Sequence, residues 1–305
     1  MTDNWLAPAV GKDVVVEGVR FRVHRAEPRS TAAGPPVLLL HGVPETSAMW
    51  RYLLPDLARD RVALAVDLKG LGNSEARGPY DIRTVTRELV ALIRGEVDGE
   101  IDVVGHDWGG VIGIAMATLH PGLVRRLVMI NAPYRQIDYL RAWHIPLFSA
   151  PALPELLLRL GGRNAVELML RHVWRSERPL DQEVAEHYKD AYASPERTAA
   201  MLAYYRAATR PRLRRAVERF LAGGAAPREA ETLSDGPQRA LVVWGAADPV
   251  LPVSVGEAVV RDLGPRTEMV TVPGAGHFVV EESPEVVVTT IGDFLRRDGL
   301  RPNSN

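Results

Sequence analysis

Ile101-Asp102-Val103-Val104-Gly105-His106-Asp107-Trp108-Gly109-Gly110-Val111-Ile112-Gly113 is a β-branched run that stops at a glycine and passes, after one tryptophan, into a small-residue helical pattern. A strand that turns this sharply into a helix thrusts a single side chain outward, and here that side chain is Asp107. The geometry is that of a nucleophile elbow, whose pattern G-x-S-x-G reads Gly105-His106-Asp107-Trp108-Gly109 with a carboxylate in place of serine.

The replacement changes the chemistry. A serine alkoxide attacks acyl carbon, whereas a carboxylate attacking a carboxylic ester would form only a labile anhydride. Productive attack by Asp107 therefore needs an sp³ carbon. The product is an alkyl ester of Asp107, which a second step hydrolyses by sending water to the Asp107 carbonyl carbon. That water needs a base.

Outward from the elbow, apolar runs alternate with helix-spaced segments. Val14-Val15-Val16 and Phe21-Arg22-Val23-His24 read as a hairpin about Glu17-Gly18. Val37 to Leu40, Arg61 to Val66 and Leu127 to Ile130 read as buried strands. Helices are expected over Met49 to Leu57, Ile82 to Gly95 and from the elbow to about His120. After a long interruption the rhythm resumes with Ala240 to Trp244, a helix near Val253 to Asp262, Thr267 to Val272 and a last helix from Pro284 to Arg296. The alternation implies an α/β fold with a mostly parallel, doubly wound sheet.

Two of the resumed strands end in candidate partners. Gly245-Ala246-Ala247-Asp248-Pro249 follows one, and Pro273-Gly274-Ala275-Gly276-His277-Phe278 follows the other. Loops at the carboxyl ends of parallel strands meet at one crevice, so Asp107, Asp248 and His277 are expected to converge. Their order along the chain is nucleophile, acid, histidine. His277 would take the proton from water while Asp248 holds its tautomer. The backbone N–H groups of Val43, in His41-Gly42-Val43-Pro44, and of Trp108 would form the oxyanion hole, with a cis Val43-Pro44 bond compatible with the turn.

The interruption, residues 134–235, has helix-spaced apolar residues but no strand-like run, with breaks at Pro146, Pro151, Pro154, Gly161-Gly162, Pro195, Pro211 and Gly223-Gly224. It reads as an all-helical insertion between two parts of one core domain, residues 1–133 and 236–305. Its cluster Arg210-Pro211-Arg212-Leu213-Arg214-Arg215 reads as a solvated helix start.

The 305 residues carry a net charge of −1, with 46% hydrophobic residues and no cysteine. Such a chain can bury a full core. It has no electrostatic footprint for nucleic acid and excludes disulfides and thiolate metal sites. Met1-Thr2-Asp3-Asn4-Trp5 lacks a basic start leading into an apolar stretch, and no segment has the length of a membrane span. A cytoplasmic protein is expected, with no metal and no cofactor, and homodimer formation is left open.

His41-Gly42-Val43-Pro44-Glu45-Thr46, the loop Asp67 to Ser74, Gly105 to Gly110 and Gly276-His277-Phe278 resemble the epoxide hydrolase branch of the α/β-hydrolase superfamily. Haloalkane dehalogenases and fluoroacetate dehalogenase are close relatives in that superfamily. The resemblance covers the whole chain and implies an α/β-hydrolase fold with a helical cap over residues 134–235. The implied activity is that of an ether-bond hydrolase converting a small-molecule epoxide and water to a vicinal diol. Family members carry two cap tyrosines, the second before an arginine, and Tyr204-Tyr205-Arg206 is similar to that pattern at Tyr205. The first stands shortly before a stretch like Pro151-Ala152-Leu153-Pro154-Glu155, where this chain has Leu147. His144 with Tyr205 is then the implied ring-opening pair, with Trp143 as a substitute donor. Trp108, Trp143, Leu147 and Phe278 are assigned to substrate binding.

Haloalkane dehalogenation by the same Asp107 is the alternative, and a binding protein on a non-catalytic hydrolase fold is a further one. Against dehalogenation, Val43 stands where one dehalogenase class has a halide-binding Asn. Trp108 and Val111 occupy the places of the fluoroacetate enzyme's carboxylate-binding arginines.

Overall fold

The computed structural model describes residues 4–29, 34–221, 237 and 239–297, with 212–221 described as backbone alone. Strands β1 (Val10–Val16) and β2 (Val19–Ala26) form the expected antiparallel hairpin. Glu17 and Gly18 between them both have positive φ, 50° and 77°, as a tight two-residue hairpin turn requires.

The remaining strands are β3 (Val37–Leu40), β4 (Ala63–Val66), β5 (Ile101–His106), β6 (Val124–Ile130), β7 (Arg239–Gly245) and β8 (Thr267–Val272). One eight-stranded sheet results, in the order β1-β2-β4-β3-β5-β6-β7-β8. β2 meets β4 antiparallel, and every pairing from β4 to β8 is parallel. The wholly apolar sequence of β3 follows from its place, since all four of its residues are buried. The chain leaves β3 toward β4 on one side and returns to β5 on the other. This reversal of strand order opens a crevice at the carboxyl ends of β3 and β5.

In chain order the helices are α1 (Leu53–Leu57), α2 (Ile82–Glu96), α3 (Trp108–Leu119), α4 (His144–Ser149), α5 (Leu153–Gly161), α6 (Arg163–Val173), α7 (Gln182–Ala191), α8 (Pro195–Leu221), α9 (Val253–Leu263), α10 (Val279–Glu282) and α11 (Pro284–Arg296). The Asp81 side chain caps α2 by accepting from Thr84 N. The helix expected over Met49 to Leu57 is divided into a 3₁₀ turn, Ser47–Arg51, and α1. Asp67 Oδ1 accepts from the Ser47 N–H at the start of the 3₁₀ turn, at 2.8 Å.

Helices α4 to α8 separate β6 from β7 in the chain, and the described residues of that stretch contain helices joined by loops and no strand. Expectations within it are corrected: Pro146 lies inside α4 and not at a break. α8 runs unbroken through Pro211, although proline removes one N–H and crowds the carbonyl one turn back. The Arg210 to Arg215 cluster therefore lies inside α8 and not at its start. Gly223-Gly224 lies outside the described residues. No helix among the described residues is long and apolar enough to cross a membrane.

Candidate active site

Asp107 adopts φ 48° and ψ −117°, a conformation that L-residues rarely hold and that occurs at functional turns. The glycines around it permit the bend. A Cβ on Gly109 would lie 2.0 Å from the Leu40 carbonyl oxygen, and one on Gly105 would lie 2.3 Å from the Gly109 carbonyl oxygen. The first turn of α3 thus rests directly on the end of β3, which brings Val43 to Asp107. The Val43 N–H donates to Asp107 Oδ2 at 3.1 Å, and the Val43-Pro44 bond is cis. Trp108 opens α3, so its N–H has no partner within the helix.

Asp248 and His277 meet as their strand-end positions imply. His277 Nδ1 and Asp248 Oδ2 are 2.7 Å apart. Asp248 Oδ1 accepts from the Val250 and Leu251 N–H groups at 2.9 and 3.0 Å. Burial would raise the Asp248 pKa, but His277 and these N–H groups hold it below the usual carboxylate value. Burial lowers the His277 pKa, and Asp248 first, then Asp107 and Glu45, outweigh it and bring it up to about 9.

Sequence reasoning missed Asn131, which follows β6 at φ 41°. Its Nδ2 donates to Asp248 Oδ2 at 2.7 Å, and its Oδ1 accepts from Gly245 N at 2.9 Å. The available signal was an amide side chain at the end of a buried strand. Also missed was the link beneath His277, whose carbonyl lies 3.0 Å from His106 Nε2 while His106 Nδ1 lies 2.8 Å from Glu45 Oε2.

Over Asp107 lies a cavity of about 1130 Å³, counting its open mouth, lined by both the strand-end loops and the inserted helices. Tyr205, His144, Trp143, Trp108 and Phe278 all line it. The Tyr205 ring meets Trp108 edge-on at 5.2 Å and His144 at 6.0 Å. Tyr204 points away, its hydroxyl donating to the Lys69 carbonyl at 3.0 Å. Adjacent residues of a helix diverge by about 100°, so only Tyr205 of the pair faces Asp107.

Leu147 is a correction. It packs half-buried against the core and does not line the cavity, whereas Phe148 does. The missed cavity residue His172, on α6, stands 5.9 Å from the Trp143 ring.

The donors differ in charge state. Burial lowers the His144 pKa to about 4 against the pull of Asp107, so at neutral pH its imidazole is uncharged. Burial, then the Asp107 charge, raises Tyr205 far above the ordinary phenol value, with the Trp108 indole acting in the opposite direction. Tyr205 is therefore a neutral O–H facing an anionic carboxylate. Among the described residues, no Lys or Arg lines the cavity.

An elbow at the end of a parallel strand, with acid and histidine on later strand ends, defines a hydrolase of the α/β class. The chain belongs to the alpha/beta hydrolase family, whose model matches residues 37–290. Within it the chain is similar to epoxide hydrolase 3 of Xenopus tropicalis, 28% identical over 93% of this chain and 76% of that protein. It is also similar to an AB hydrolase superfamily protein of Bacillus subtilis, 29% identical over 86% and 91% of the two chains. Among solved structures, epoxide hydrolase A of Mycobacterium thermoresistibile superposes with a TM-score of 0.74 at 25% identity, covering 95% of this chain and 98% of that one.

Proposed function

We propose that the protein hydrolyses an uncharged epoxide to a vicinal diol through an alkyl ester on Asp107, with helices α4 to α8 acting as the cap that supplies the ring-opening donors. The observation that carries this reading is the placement of Tyr205 and His144 in the same cavity as the Asp107 carboxylate. A carboxylate displacing an alkoxide needs a proton donor for the leaving oxygen, and these two residues supply an O–H and an N–H.

An Asp107 oxygen attacks a ring carbon as the ring C–O bond breaks, and the freed oxygen takes the Tyr205 proton. Water then adds to the Asp107 carbonyl carbon, its proton passing to His277 and its oxyanion held by the Val43 and Trp108 N–H groups. Collapse breaks the acyl C–O bond, the leaving diol oxygen takes the proton held by His277, and Asp107 keeps one water oxygen and passes its remaining proton to His277 as the carboxylate is restored.

The electrostatics favour this order. The charge on Asp107 helps keep His277 protonated in the resting site. Esterification removes that charge, so His277 becomes more able to release its proton and act as a base once there is an ester to hydrolyse. The proton it sheds balances the one Tyr205 has given up.

Haloalkane dehalogenation would use the same ester. It is favoured only by Trp108 and Trp143 in the lining, whose N–H groups suit a weakly basic halide.

A single turnover in H₂¹⁸O tests the reading. The first diol should carry no heavy oxygen and Asp107 should gain it. Label in the first diol without label in Asp107 would indicate direct attack by water and overturn the scheme.

A further inference from the structure

One buried carboxylate outside this chemistry binds two distant parts of the chain together. Glu282, in α10 and 2% exposed, accepts four backbone N–H groups. Two come from the loop carrying His277: Gly276 N at 2.8 Å and Phe278 N at 3.1 Å. Two come from the segment that leaves α6: Arg175 N at 2.9 Å and Ser176 N at 2.8 Å. The Ser176 hydroxyl also donates to the Glu282 carbonyl at 3.2 Å. Between these anchors the His277 N–H donates to the Val173 carbonyl at 3.3 Å.

The two segments touch closely enough to exclude a side chain, since a Cβ on Gly276 would lie 2.2 Å from the Val173 carbonyl oxygen. Val173, His172 and Met169, at this end of α6, line the substrate cavity. Asp248 orients the His277 ring, but it does not set where the backbone carries that ring. The N–H groups on either side of His277 are held by Glu282, and the same carboxylate holds the end of a helix forming the cavity wall.

We propose that Glu282 is a positioning residue for the hydrolytic half-reaction. By gathering the four N–H groups it fixes the height of His277 over Asp107 and couples that height to the α6 wall against which substrate lies. The inference rests on the ester mechanism proposed above. A carboxylate suits the place because it accepts from all four donors at once, which an amide cannot do without turning its own N–H groups toward one of the two segments.

The test compares Glu282→Gln, and Glu282→Asp as the variant that keeps the charge but shortens its reach, with the unaltered protein. Intact mass after rapid quench with styrene oxide resolves ester formation from ester hydrolysis. Hydrolysis is expected to slow by roughly 10–100-fold, the scale of a displacement of about 1 Å, while ester formation stays within about threefold of normal, so the adduct accumulates. Amide hydrogen exchange should rise together in residues 173–178 and 274–279. Equal slowing of both steps, no slowing in a folded variant, or faster exchange in only one segment overturns the proposal. If the unaltered protein forms no adduct with styrene oxide or other epoxides, the ester reading fails instead, and exchange alone decides whether Glu282 couples the two segments.

Discussion

His277 Nδ1 lies 2.7 Å from Asp248 Oδ2, an oxygen that also accepts from Asn131 Nδ2 at 2.7 Å. With Val250 and Leu251 N–H groups on the other oxygen, this carboxylate is held at both ends and cannot rotate away from the ring. His277 thus keeps its proton on Nδ1 and turns Nε2 to the cavity. Asp248→Asn should leave Asp107 free to attack but allow the wrong tautomer. Ester hydrolysis is expected to slow by ~10³–10⁴-fold, with a persistent adduct by mass. Hydrolysis at the normal rate in this variant would remove Asp248 from the mechanism.

Two of the cavity histidines, His277 and His144, bound stability on opposite sides of neutrality. His277 is raised from 6.5 to about 9, so its contribution is fully present below pH 6.5 and is lost as pH rises through about 9. By linkage that loss is on the order of 3 kcal/mol. His144 is lowered from 6.5 to about 4, so its contribution is present above pH 6.5 and is lost as pH falls through about 4. Unfolding midpoints should peak near neutrality, with His277→Gln flattening the alkaline limb and His144→Phe the acid limb. Limbs unchanged in these variants would show that other groups govern the pH response.

The core and the triad were legible because each depends on a local pattern. Four apolar residues in β3, the glycine-bounded elbow, and a polar residue just past each of two strand ends are signals carried within a few positions. The cap was less so. Leu147 and Phe148 are neighbours on a six-residue helix, and which of them faces Asp107 depends on how α4 packs against α8. Asn131 reaches the Asp248 carboxylate and the Gly245 N–H, and Glu282 ties the nearby His277 loop to the N–H groups of Arg175 and Ser176, all across distant parts of the chain, and no spacing rule reports such contacts. Tyr205 was separable from Tyr204 because their helix geometry guarantees divergence, once something else says which of them faces the site.

The elbow glycines should separate sharply from an ordinary one. Gly109→Ala would drive a methyl against the Leu40 carbonyl, where a Cβ would sit at 2.0 Å, and neither backbone can yield without moving β3 or α3. A loss of more than about 3 kcal/mol in chemical denaturation is expected. Gly95, exposed in the last turn of α2 with nothing within 4 Å of a Cβ, should gain about 0.5–1 kcal/mol as alanine. Similar effects at both positions would mean the close approach at the elbow is not rigid.

Ring opening distinguishes the epoxide reading from the halide one, because only an alkoxide needs a proton from the cap. Tyr205→Phe removes a hydroxyl from a ring still held by Trp108, His144 and Phe148, so the fold should be unaffected. A general acid contributes ~10²–10⁴-fold, and the neutral His144 imidazole can cover part of the loss. Alkylation of Asp107 by an epoxide is therefore expected to slow by roughly 10–10³-fold. Tyr205→Phe combined with His144→Phe should be nearly inactive, and Trp143→Phe reports whether the indole substitutes. Tyr204→Phe is not an inert control, because its hydroxyl is bonded to Lys69 O; its effect should fall on stability and leave alkylation nearly intact. Halide leaves without a proton, so a haloalkane should alkylate the Tyr205→Phe protein with little change. If epoxide alkylation also proceeds at the normal rate there, Tyr205 is not the acid and the dehalogenase reading is the stronger one.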